Sequence, residues 1–258
     1  MSRTDIKCLS CHAVYTVSDE LFKYARQVAE EQNWHIQIHL SETQKENDDC
    51  YEKWGMSPTA KLDSLGLLTP ETVLAHAVHL SDADIALIKE RGCFLSTNPT
   101  SNLKLNSGLF MFERLFCELP GHVTLGTDGA SSNNNLSMIE AVKICSLAAK
   151  CEAGSALGGK AADVFRCATR NGALAFGLDA GEIRKGALAD CLLVDLDNPF
   201  LTPNYNLVSN LVYAADSSCI KDVICDGKLI MENGSVPAER EIVASAQALA
   251  EKIKKLKK

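Results

Sequence analysis

The stretch HLSET sets His39 three residues ahead of Glu42, directly after the alternation WHIQIHL. Ile36 and Ile38 are what a half-buried strand requires, whereas His39 and Glu42 are not. An imidazole that ligates a metal beside a carboxyl group that moves protons accounts for both. Comparable groups recur at the ends of other apolar runs: His12 in CHAVYT, His76 in LAHAVH with His79 close behind, and Asp128 in LGTDG. Gathering so many titratable groups at one rim is costly unless they are paired or metal-bound. The chemistry such a set supports is metal-assisted hydrolysis. A divalent ion lowers the pKa of its bound water towards neutrality, and a non-ligating glutamate can pass protons between that water and a leaving nitrogen. A serine triad is the rival hydrolytic arrangement, but the chain carries no G-x-S-x-G elbow or other nucleophile signal.

These groups can meet only if their elements carry them to one side. Ile6 to Ala13 and HIQIHL read as strands, and TVLAHAVHL, CFLSTNP and HVTLGTDG as three more. Between them lie a predicted helix over Ser18 to Asn33, opened by a Ser N-cap, and a polar helix-like stretch ending near LDSLGLL. A helix after Ser81 closed by Gly92, a short helix around Phe110 to Cys117 and a long one from about Leu136 to Lys150 complete the series. Five strand-then-helix units with strands too apolar for a one-sided sheet predict a parallel α/β fold. The carboxyl ends of such strands are where active sites assemble, in β/α barrels above all. From about Glu182 the texture changes. A turn and strand in GEIRKGALADCLLVDLD, then two or three strands from Asn210 to Val236 with an Asp-Gly hairpin signal, predict a small β unit. The expected division is residues 1–180 for the α/β unit and 181–258 for the β portion with a C-terminal, lysine-ended helix.

The bulk numbers narrow the class. With 258 residues, 46% apolar and 23% charged, the chain can bury one large core. A net charge of −7 argues against a nucleic-acid surface. No apolar run is long enough to span a bilayer, and MSRTDIKCLS lacks signal-peptide architecture. The eleven cysteines then read as reduced thiols of a cytoplasmic protein. The lone pair Cys8 and Cys11 reads as packing thiols, since a zinc knuckle needs a second such pair. Asn98, Ser101, Asn102 and Asn133 sit in Asn- and Ser-rich stretches just after strands, which suits both turn chemistry and a substrate rim.

IHLSET, LAHAVHLSDADIALI, NPTSNLKLNSG and LGTDGASSNNNLSMIEAVK together resemble the amidohydrolase superfamily. The nearest branch is that of the methylthioadenosine/adenosylhomocysteine deaminases and their triazine-hydrolase relatives. CHAVYTVSDE is similar to that branch's Pro-His-x-Pro-Tyr-Thr segment, and the resemblance runs from about residue 6 to about 235. It implies a TIM-like barrel holding one divalent ion, zinc or iron, and a small heteroaromatic or nucleoside substrate. By resemblance His39 is a metal ligand, and Asp128 is a ligand that also takes a proton from the bound water. Glu42 is the proton shuttle and a substrate contact, His76 orients the hydroxide, and His12 touches substrate. The family's His-x-His is missing, because the six histidines are 12, 35, 39, 76, 79 and 122. The expectation is therefore an incomplete barrel, about strands four to eight, with part of a β-sandwich and weakened metal binding. Open sheet edges would favour a homo-oligomer. Two alternatives stay open: a non-catalytic remnant that acts as a binding or oligomerisation module, and a triazine- or guanine-type hydrolase on the same scaffold.

Overall fold

A computed structural model describes residues 6–256. Residues 1–5 and 257–258 lie outside the described residues, and with them the start of the N-terminal stretch and the last two lysines read above. Strands β1 (Cys8–Ser10), β2 (His35–Leu40), β3 (Thr72–His76), β4 (Phe94–Thr97) and β5 (Val123–Leu125) form one sheet in chain order, parallel throughout. The register sets Leu40 beside His76 and Ser96 beside Thr124, so the carboxyl ends of the strands line up. β1 is shorter than its apolar run because the chain turns at once, with the N–H groups of Thr16 and Val17 returning to the Ala13 carbonyl.

Helices follow each strand. β1 leads to α1 (Asp19–Gln32), β2 to α2 (Gln44–Trp54) and α3 (Pro58–Ser64), and β3 to α4 (Asp82–Arg91). β4 leads to the short α5 (Pro99–Lys104) and to α6 (Phe112–Glu118), and β5 to α7 (Ala130–Asn133) and α8 (Met138–Ala153). The side chains of Ser18, Thr43, Ser57, Ser81 and Ser137 each accept an N–H in the first turn of the helix they precede, which fixes where five helices begin. Every residue of β3 is buried, as expected of a parallel strand covered on both faces. Ile38, Leu40, Leu74, Leu95 and Val123 enter the main core with Ile85 and Ile88 of α4 and Phe112 and Leu115 of α6. Val73 and Phe94 point the other way and pack on Ala175, in α10 (Gly172–Ala175), which follows α9 (Ala161–Arg166) and a π turn over Cys167–Asn171.

The second sheet is antiparallel, in the order β6 (Cys191–Val194), β7 (Ile220–Cys225), β8 (Lys228–Met231). Asp226 and Gly227 both have positive φ, as a tight hairpin turn requires. The stretch from Asn210 to Val236 supplies two strands, β7 and β8, within the two or three expected, but its first residues belong to α11 (Leu207–Tyr213), where Asn206 caps the Ser209 N–H. Leu211 and Val212 are buried, and adjacent buried residues suit a helix lodged on α8 and α9 better than a strand. The C-terminal helix α12 (Glu239–Leu256) forms as expected but buries none of its residues.

Candidate active site

His39 is the fifth residue of β2, and its position is fixed twice over. Its backbone N–H donates to the His12 carbonyl at 3.0 Å, and its ring Nδ1 lies 2.9 Å from the same oxygen. A carbonyl can only accept, so Nδ1 carries the proton and Nε2 is left bare, the usual arrangement for a metal-ligating histidine. His12, two residues past β1, stands edge-on to His39 with ring centroids 5.0 Å apart, and its Nδ1 lies 2.8 Å from Thr16 Oγ1. His76 ends β3, and its ring centroid is 5.3 Å from that of His39.

Two carboxylates close on the His76 ring. Its Nε2 is 3.8 Å from Glu42 Oε2 and 3.9 Å from Asp128 Oδ2. Glu42 Oε1 accepts from Ser107 Oγ at 3.2 Å. Asp128 Oδ2 accepts from Ser101 Oγ at 2.6 Å, and Oδ1 accepts from the Gly129 N–H at 2.5 Å. The backbone bends sharply to aim these groups. Ser41, His76, Ala77 and Asp128 all have φ between 45° and 70°, a region that non-glycine residues seldom enter. Such strain persists where surrounding bonds over-determine it, and it clusters at functional sites. Gly126, between β5 and Asp128, is packed so closely that a Cβ there would lie 2.5 Å from Asn98 Oδ1.

The electrostatics divide the roles. Burial, reinforced by neighbouring His76, lowers the His39 imidazole below its ordinary pKa, which favours the neutral, ligating form. Burial alone would raise the Asp128 carboxyl. The bonds from Ser101 and Gly129, aided by His76 and His39, more than offset it and hold the group below the usual carboxylate range. Behind the site Glu46 is 6% exposed and receives the N–H groups of Ser41 at 3.2 Å and Glu42 at 2.9 Å, one on each oxygen. Burial nevertheless pushes its carboxyl up to about 7.

The donors fit part of a divalent-ion site. His39 offers a bare Nε2 and Asp128 an ionised, oriented carboxylate, the ligand types such ions take. Among the described residues no three His, Cys, Asp or Glu side chains form a group able to hold a metal ion.

The four groups at the ends of β1, β2, β3 and β5, together with Glu42, therefore gather at one end of the sheet. His79 does not join them, since its Nε2 donates to the Ser107 carbonyl at 2.6 Å. His35 and His122 lie against Phe176 and Phe94, away from the cluster. Asn133 is spent locally, its amide donating to the Thr127 carbonyl. Cys8 is exposed and Cys11 half-buried beside the core, and both are free thiols. Sequence reasoning missed Glu46 and Ser107. Glu46 had a usable signal, for Thr43 and Glu46 have capping-box spacing, and Thr43 Oγ1 does accept the Glu46 N–H. Ser107 had none.

Known proteins share this arrangement of sequence and fold. Residues 5–230 match the model of the amidohydrolase family. A 5-methylthioadenosine/S-adenosylhomocysteine deaminase from Thermococcus sibiricus is 42% identical over 220 residues, which cover 85% of this chain and 52% of that protein. A 5'-deoxyadenosine deaminase from Methanoregula boonei is 40% identical over 242 residues, covering 94% of this chain and 55% of that one. The solved structure of an adenosine deaminase from Xanthomonas campestris with bound zinc superposes with a TM-score of 0.91 at 33% identity, over 95% of this chain and 57% of its own. The chain thus spans about half the length of the curated relatives it matches. The family match takes in every residue of the site, and the chain belongs to the amidohydrolase family.

Proposed function

We propose that the chain is part of a metal-dependent hydrolase of C–N bonds that deaminates an adenine-containing nucleoside, such as methylthioadenosine or S-adenosylhomocysteine. The observation that carries this reading is the convergence of Glu42 and Asp128 on His76 Nε2 with His39 alongside. Names borne by relatives at about 40% identity support the substrate class. On this reading the parallel sheet is the portion of a β/α barrel from about strand four to strand eight, reaching to about residue 180. Residues 181–258 then supply part of a small β-sandwich and the terminal helix.

His39 Nε2 and the Asp128 carboxylate would hold the metal ion, zinc or iron, in a site left weak by the missing His-x-His. When bound, that ion makes hydroxide available near neutral pH. Glu42, held by Ser107, carries a proton to a ring nitrogen of the substrate, and Asp128 accepts one. His76 stands between the two carboxylates and fixes their separation. His12, exposed at the rim, contacts the ring. Among the described residues β1 and β5 each have a strand on one side only, and the β1 edge in particular makes self-association the expected state.

The test is metal content followed by turnover. Protein loaded with zinc and dialysed is assayed for bound ion, then for conversion of adenine to hypoxanthine nucleoside by ultraviolet absorbance. Bound zinc that disappears in His39→Ala, with turnover lowered about 10²- to 10⁴-fold in Glu42→Gln, supports the reading. Protein that retains no zinc and deaminates none of these nucleosides sinks it and leaves the binding or oligomerisation module.

A further inference from the structure

Three neutral side chains in the seven-residue stretch from Ser101 to Ser107 each touch a different ionisable group of the site. Ser101 Oγ donates to Asp128 Oδ2 at 2.6 Å, Asn102 Oδ1 lies 2.8 Å from His76 Nδ1, and Ser107 Oγ donates to Glu42 Oε1 at 3.2 Å. All three residues are buried: Ser101 is fully enclosed and Asn102 is 2% exposed. The stretch is also tied to itself and to its surroundings. The Ser107 N–H donates to the Asn102 carbonyl at 2.8 Å. Lys104 reaches the Ser131 carbonyl at 3.0 Å and the Asn134 amide oxygen, just beyond Asp128.

We propose that Ser101, Asn102 and Ser107 are positioning residues, a single neutral clamp that sets the spacing of Asp128, His76 and Glu42 and fixes which nitrogen of His76 bears its proton. The inference rests on the deaminase reading for what the spacing is used for, but not for the geometry. Asn102 is the decisive member. Its amide oxygen faces Nδ1 and can only accept, so Nδ1 carries a proton and donates, while Nε2 is turned toward the two carboxylates. Its Nδ2 is buried without a partner, a cost that a leucine of similar size would avoid. An aspartate would accept from Nδ1–H equally well, but would put a third carboxylate beside Asp128 and Glu42. The amide supplies the acceptor without the charge.

The experiment reads the imidazole tautomer directly. Metal-free chain labelled with ¹⁵N-histidine is observed at neutral pH by long-range ¹H–¹⁵N correlation, and the His76 signals are identified by their loss in His76→Asn. Wild type is expected to show Nδ1 protonated. Asn102→Leu should lose that form and Asn102→Asp should keep it. His39 serves as the folding control, because its Nδ1–H is held by the His12 carbonyl and should not change. A His76 whose Nδ1 carries no proton in wild type overturns the clamp even if no variant folds, as does an unchanged His76 in folded Asn102→Leu. In a preparation that turns over, Ser101→Ala and Asn102→Leu should lower kcat at least tenfold with KM within about threefold. The reverse split overturns the clamp as well. If the Nδ1–H form is present and nothing is deaminated, the clamp stands and the deaminase reading alone fails.

Discussion

Glu46 holds the backbone that aims Glu42, and it does so against its own desolvation. With its carboxyl raised to about 7 from an ordinary 4.5, the folded chain keeps a proton there that the unfolded chain releases between those values. The native state therefore binds more protons in that window, and the site's contribution to stability falls as pH rises through it. Glu46→Gln carries no such dependence. Urea unfolding at pH 5 and pH 8 should show wild type losing stability relative to Glu46→Gln at the higher pH, and parallel behaviour would refute the shift. At this scale the ligand-type residues were legible, because His39, His76 and Asp128 stand where apolar strands stop. Glu46 and Ser107 were not. Their importance arises from the turn at Ser41, with φ of 45°, and from a loop sixty-five residues from Glu42, and the Thr43–Glu46 spacing was the one local hint to either.

Among the elements, α4 has the best-defined start. Ser81 Oγ accepts the Asp84 N–H at 3.2 Å while Asp84 accepts the Ser81 N–H at 2.9 Å, and Ser57 Oγ adds a further bond to the same carboxylate. Ser81→Ala should cost roughly 1 kcal/mol, read as a shifted urea midpoint with unchanged slope. Gly126→Ala should cost about 1–3 kcal/mol, because a methyl group there collides with the buried Asn98 amide and the Ser96 hydroxyl, which must move aside. A loss below 0.5 kcal/mol would mean the neighbouring loop yields freely. The five parallel strands were legible from their apolar runs and the caps between them. The stretch from Asn210 misled because Leu211, Val212 and Tyr213 have strand-like composition, and only docking on α8 and α9 makes that segment helical.

For the whole molecule, no strand pairs with the outer side of β1 among the described residues, and α1 shows Leu21 and Tyr24 to solvent beside that edge. Sedimentation at micromolar concentration should show dimers or larger species, whereas a sharp monomer boundary would count against open-edge association. That the strands are parallel was legible in their apolar runs, whereas the meeting of Glu42, His76 and Asp128 depends on segments joining in space. α12 has a different consequence. Ile242, Leu249, Ile253 and Leu256 recur at spacings of seven, four and three along a helix that contributes no buried side chain. α12 thus adds nothing to the buried core, and a version ending at Ala238 should melt within about two degrees of the parent. Loss of these oily residues would be felt in colloidal behaviour instead, as lower light scattering at high concentration.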